Sequence, residues 1–260
     1  MKPLDETKLQ IIFWSLFFVG IFIISFLGYE FSQLSIITII AISFGGMFVF
    51  KKYKEKQRIK ELINYANKNN FQYIEKPEDS IQAQFDDFKA LNLISSEPLF
   101  NLLISEADKN QPNIITAKKI VRTNNGSLTY YTQIFLFNLN QEIPKFFIKK
   151  KSFFETFLPG SEKRIIKSLK SNNYYVDNLK DTSFPKDGYF CFVENEDFTN
   201  FISKDFIELL NMGIDKGKKK INIESNGKAL IFYVQNKRHS EQDINYYINL
   251  FTALKNSLIE

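Results

Sequence analysis

Two long, predominantly apolar runs, Leu9 to Tyr29 and Phe31 to Phe50, dominate the hydropathy pattern, and neither contains an Asp, Glu, Lys, Arg or His. At about 1.5 Å per residue the 21 residues of the first extend about 31 Å as a helix, close to the ~30 Å of a bilayer's hydrocarbon core. The second run supplies 20 residues counted from Phe31, or 17 from Leu34. A cleaved signal peptide fits the first run poorly, because such apolar regions usually span about 7–15 residues and end in an A-x-A-like site, which Phe26-Leu27-Gly28 is not. Apolar residues occupy all sides of the second run rather than one stripe, which argues against an ordinary core helix. With only Tyr29 to Gln33 between them, the pattern predicts an antiparallel transmembrane hairpin with spans at about 9–29 and 31–50.

Charge sharpens this expectation. The decapeptide KKYKEKQRIK follows at once, and its Lys51, Lys52, Lys54, Lys56, Arg58 and Lys60 are opposed only by Glu55. Residues 1–50 sum to −1, 51–60 to +5 and 61–260 to +1, so the chain's net +5 resides in this basic collar. Basic residues resist translocation, so the expected placement is multi-pass in the plasma (inner) membrane with both termini cytoplasmic. The six collar residues are the expected membrane-surface contact, drawn to anionic lipid headgroups. A nucleic-acid partner is not expected, since such a binder carries its excess charge on the folded domain. A small-residue face at Thr38, Ala41 and Gly45 offers either packing within the hairpin or a homo-oligomer seam.

Beyond the collar the periodicity changes. Ile59, Leu62, Ile63 and Ala66 recur at helical spacing, predicting a basic juxtamembrane helix over 51–70. Residues 71–260 then read as one soluble domain, with a subdivision near Pro159-Gly160. Strands are expected at Phe71–Glu75, Leu102–Ala107, Asn113–Arg122, Leu128–Asn138, Phe146–Lys149, Gly188–Val193, Lys219–Glu224 and Ala229–Gln235, with a helix over Leu99–Ala107 as the alternative for the second of these. Short helices are expected at Ile81–Phe88 and Phe198–Met212, and a longer one from Ser240 carries Ile244, Tyr247, Ile248, Phe251, Leu254 and Leu258 on one stripe. Asn226-Gly227 is a strong hairpin signal, suited to two residues with positive φ. Antiparallel hairpins with interspersed helices make the expected class α+β, an antiparallel sheet packed with helices behind the transmembrane hairpin.

Candidate chemistry is sparse. His239 is the sole histidine and stands in Asn236-Lys237-Arg238-His239, which reads as an exposed loop with no nucleophile beside it. Cys191, the sole cysteine, sits in the apolar strand-like Tyr189-Phe190-Cys191-Phe192-Val193, a setting that makes a thiol inert. One Cys and one His cannot supply a structural zinc site, and no Gly-rich phosphate loop is present, so no cofactor or metal is expected. Asp86, Asp87, Glu194, Glu196 and Asp197 are the acids that could act as acid, base or metal ligands, although acids also gather where helices begin.

The stretches LINYANKNNFQY (Leu62 to Tyr73), IPKFF (Ile143 to Phe147), FVENEDFTNFISKDFIELL (Phe192 to Leu210) and INIESNGKALIFY (Ile221 to Tyr233) resemble a diffuse family of uncharacterised bacterial membrane proteins. The resemblance implies a two-helix anchor and a soluble α+β domain, and it carries over no catalytic residue. The resulting expectation is a membrane-anchored, non-enzymatic module whose cytoplasmic domain binds a protein or lipid partner. The alternative is a membrane-associated enzyme using the clustered carboxylates.

Overall fold

Nine short segments that alternate or run apolar collect into one antiparallel sheet. The computed structural model describes residues 33–105, 111–123, 126–150, 175–176, 189–194, 201–215 and 221–259. Helix α1 (Gln33–Lys68) leads to β1 (Phe71–Ile74), α2 (Asp79–Asp86), α3 (Lys89–Ile94), β2 (Phe100–Ser105), β3 (Asn113–Thr123), β4 (Gly126–Asn138) and β5 (Phe146–Lys150). Then come β6 (Tyr175–Val176), β7 (Tyr189–Val193), α4 (Lys204–Asp215), β8 (Ile221–Ser225), β9 (Ala229–Val234) and α5 (Glu241–Ile259). The strand order is β1-β2-β3-β4-β9-β8-β5-β7-β6. The chain divides into two compact units, 1–60 and 61–260, and the sheet belongs to the second.

Helices cover both faces of the sheet. On one, Tyr65, Phe206, Leu210, Tyr247, Phe251 and Leu254 close over Phe135, Phe137, Ile223 and Phe232. Phe251 is central, with ring centroids 4.9 Å from Phe232 and 5.1 Å from both Phe135 and Tyr247. On the other face Phe85, Phe88, Ala90 and Ile94, from α2, α3 and the link between them, cover Leu102, Ile115, Ile134, Ile231 and Phe192. Because neither face is left to water at the centre of the sheet, β8 and β9 are buried at every position, even where β8 alternates apolar with polar residues.

Several expectations need correction. The expected first span, 9–29, lies outside the described residues. The second is not an element of its own: the apolar residues from Gln33 onward run without a break into Lys51, Lys52, Lys54, Glu55, Lys56, Arg58 and Lys60 within one 36-residue helix. Among the described residues no helix is long and apolar enough to cross a membrane. The 36-residue helix is apolar up to Phe50 and charged from Lys51 onward. The class α+β with a transmembrane hairpin is therefore replaced by an antiparallel nine-stranded sheet with few helices. The multi-pass inner-membrane placement with cytoplasmic termini falls with the hairpin. The expected boundary near 159–160 lies outside the described residues.

The β8–β9 turn also differs from expectation. Only Gly227 has a positive φ, +97°, and three residues form the loop. The Asn226 carboxamide oxygen accepts from the backbone N–H groups of Lys228 and Ala229 at 3.0 and 2.8 Å, so a side-chain turn replaces the two-residue hairpin loop.

Candidate functional site

In the first unit, the end of the apolar run meets the collar on α1. Phe48, Val49 and Tyr53 are 60%, 67% and 63% exposed, with Phe50 at 37%. Neighbouring large apolar groups left in water mark an interaction surface far better than single ones do. Helical spacing places Phe48, Lys52, Lys56 and Lys60 in one i, i+4 row and Phe50, Lys54 and Arg58 in another. Lys52 Nζ stands 4.8 Å from the Phe48 ring centroid and Lys54 Nζ 5.2 Å from that of Phe50. Each such contact is worth about 0.5–1 kcal/mol at an exposed site, enough to bias the ammonium toward the ring but not to neutralise it. Lys52, Lys56 and Lys60 are exposed, Lys54 and Arg58 half-buried, and the Lys51 side chain lies outside the described residues. Charge thus begins directly beside exposed aromatic surface, an arrangement suited to a boundary between apolar and anionic material.

The second unit contains a cleft of about 210 Å³ between α2 and the sheet. Ile81, Gln84 and Phe85 form its roof; Leu102, Ile104, Asn113, Leu136 and Asn138 form its floor and rim. No lining residue is charged.

Beside this cleft is a buried acid. The pairing register runs Asn113, Leu136, Ile231, Glu224, Phe147, Phe192 across six strands, so Glu224 lies on the cleft's face two strands from Leu136. Glu224 is fully buried. Its Oε1 and Oε2 accept the backbone N–H groups of Lys89 and Ala90, both at 2.8 Å, fastening the start of α3 to β8. Burial pushes its carboxyl up to about 7, although the two amide bonds and the Lys89 ammonium act in the opposite direction. The Tyr233 phenol on the same face is raised as well, by burial and then by Glu224. With both oxygens committed to backbone donors, Glu224 is a structural clasp.

The acids singled out from sequence do not converge. Asp86 and Asp87 are exposed at the end of α2. Glu194 follows β7 and pairs at 3.5 Å with Lys145, both well solvated, a contact worth about 0–1 kcal/mol. Glu196 and Asp197 lie outside the described residues, and no group of three or more His, Cys, Asp or Glu able to hold a metal occurs among the described ones. Cys191 is buried.

His239 departs from expectation. It is 3% exposed, its ring 4.4 Å from Tyr247 and 5.9 Å from Phe135. Its backbone N–H donates to Gln133 Oε1 at 2.6 Å. The signal for this was its position one residue before Ser240, whose hydroxyl oxygen caps α5 by accepting from Asp243 N–H, because the residue preceding a cap often folds back on the helix and core. Glu224 was missed because an acid at an alternating strand position ordinarily faces water, whereas here both faces of β8 are buried.

No protein-family model matches the chain, and no curated protein matches it. A solved structure with similarity is the crystal structure of the mycobacterial trehalose monomycolate transport factor A, at 8% identity and a TM-score of 0.45, covering 77% of this chain and 95% of that one. So distant a likeness carries no argument about this protein.

Proposed function

We propose that the protein is a non-enzymatic partner-binding module that engages anionic lipid headgroups through Lys51, Lys52, Lys54, Lys56, Arg58 and Lys60, with Phe48, Val49, Phe50 and Tyr53 entering the headgroup boundary. The observation that carries this reading is the exposed aromatic surface set against the basic rows of one helix. A basic residue near an anionic surface contributes about 1 kcal/mol, so six of them opposed by Glu55 supply on the order of 5 kcal/mol at low salt. Apolar side chains of a surface-bound helix enter about 5–10 Å, and no crossing of the bilayer is required.

The test is co-sedimentation of the full chain with phosphatidylcholine vesicles, with and without 30% (about one lipid in three) phosphatidylglycerol, at low and high salt. Binding is expected only with the anionic vesicles, weakening as salt rises, and weakening tenfold or more in Lys52→Glu/Lys56→Glu/Lys60→Glu. Equal binding to neutral vesicles, or an unaffected triple variant, contradicts the proposal.

A further inference from the structure

A different part of the molecule carries a second recognition site. We propose that the cleft between α2 and strands β2 to β4 is an anchor pocket that takes one apolar side chain of an uncharged peptide segment, whose flanking peptide groups pair with Gln84, Asn113 and Asn138.

Size points first to a side chain. An apolar cavity of about 150 Å³ accepts benzene, and small-molecule sites run to about 300–1,000 Å³. At about 210 Å³ the cleft matches one branched or aromatic side chain and is short for an acyl chain or a nucleotide. The depth of the cleft is apolar, with Phe85, Leu102 and Leu136 all buried.

The rim selects the rest of the ligand. Gln84 and Asn138 are exposed and make no side-chain hydrogen bond among the described residues. The Asn113 carboxamide oxygen accepts from Ser105 N–H at a long 3.4 Å, leaving its NH₂ group to donate. A carboxamide offers a donor and an acceptor side by side, the complement of a peptide group, and hydrocarbon would make use of neither. Without a charged residue in the lining, an ionised ligand would lose hydration and gain no counter-charge.

The roof is held in place independently of any ligand. Phe88 N–H donates to Phe85 carbonyl oxygen at 3.0 Å, linking α2 to the residue that precedes α3. Glu224 then fixes the first two residues of α3 to the sheet. A pocket whose walls are already placed forfeits little binding energy to ordering.

The experiment is an NMR titration of the full chain, observing the Ile81 and Ile104 methyls and the Gln84 and Asn138 side-chain amides. N-acetyl-leucine N-methylamide is the probe, with N-acetyl-leucine carboxylate and cyclohexane as controls. The diamide should produce saturable shifts at all four groups and bind at least tenfold more tightly than the carboxylate. Gln84→Ala/Asn138→Ala, both at exposed positions, should weaken the diamide threefold or more and leave cyclohexane unchanged. Ile104→Trp, which fills the cleft, should abolish both. Absence of saturable diamide shifts overturns the proposal, as does equal affinity for the carboxylate. Unchanged diamide affinity in the double variant also overturns it, because the cleft would then be an apolar void without peptide selectivity.

Discussion

Glu224 provides a quantitative test of the packing on the cleft face. Its carboxyl titrates near 7 when folded and near its ordinary 4.5 when unfolded. Between those values the folded chain holds a proton that the unfolded chain has released. Its contribution to stability is therefore complete below pH 4.5 and is lost as pH rises to 7. A difference of two to three pH units at 1.36 kcal/mol each amounts to about 3 kcal/mol. Lys89, whose ammonium burial holds below its ordinary value, and Tyr233, whose phenol burial raises, are the titratable groups coupled to it. Glu224→Gln keeps the shape, removes the proton, and leaves one of the two helix N–H groups facing an NH₂, a loss of about 1–3 kcal/mol that does not vary with pH. Urea unfolding of both proteins followed by circular dichroism from pH 5 to pH 8 isolates this residue from every other titrating group. The variant should gain about 3 kcal/mol on the native protein as pH rises. A constant gap, or a variant that loses ground with rising pH, would refute the argument that desolvation outweighs the two amide bonds and Lys89.

Other consequences follow from single positions. Phe251→Ala removes a fully buried ring from a four-ring cluster and should cost about 3–5 kcal/mol, read as a lower urea midpoint at unchanged slope; a loss under 1 kcal/mol would contradict the packing. Gly227→Ala places a side chain at φ +97° with only ordinary contact to the Ile143 carbonyl oxygen at 3.7 Å, so backbone strain alone should cost about 1–2 kcal/mol, and a stabilised variant would contradict it. Cys191, buried on β7, should react with Ellman's reagent only in denaturant, and rapid labelling of the native chain would show that the strand is not covered.

Elements with a strong local signature were legible from residues alone. The apolar stripe of α5 and the alternation of β3 and β4 appear within a residue or two of where their pattern places them. Asn226-Gly227 marked the right turn but not its geometry, because the Asn side chain rather than a second positive φ completes it. Helix α3 was not legible: its six residues carry no periodicity, and it exists because a carboxylate 134 residues away receives its first N–H groups. The same long-range pairing hides the cleft, whose walls come from α2, β2, β3 and β4 and meet only when the sheet closes. At the other end of the chain, hydropathy taken in a window separated the apolar run from the collar. The continuous helix joins them, and the exposed Phe48, Val49, Phe50 and Tyr53 belong with the lysines rather than with a span.

The most direct test of the functional account is a spin label placed at position 53 in a Cys191→Ser background, compared with one at Lys228, an exposed turn residue of the sheet. With vesicles containing phosphatidylglycerol, the label at 53 should gain collisions with oxygen and lose them with a water-soluble nickel complex, while the label at 228 stays unchanged. No change at 53, or the same change with purely neutral vesicles, would contradict the assignment of this helix surface to anionic lipid.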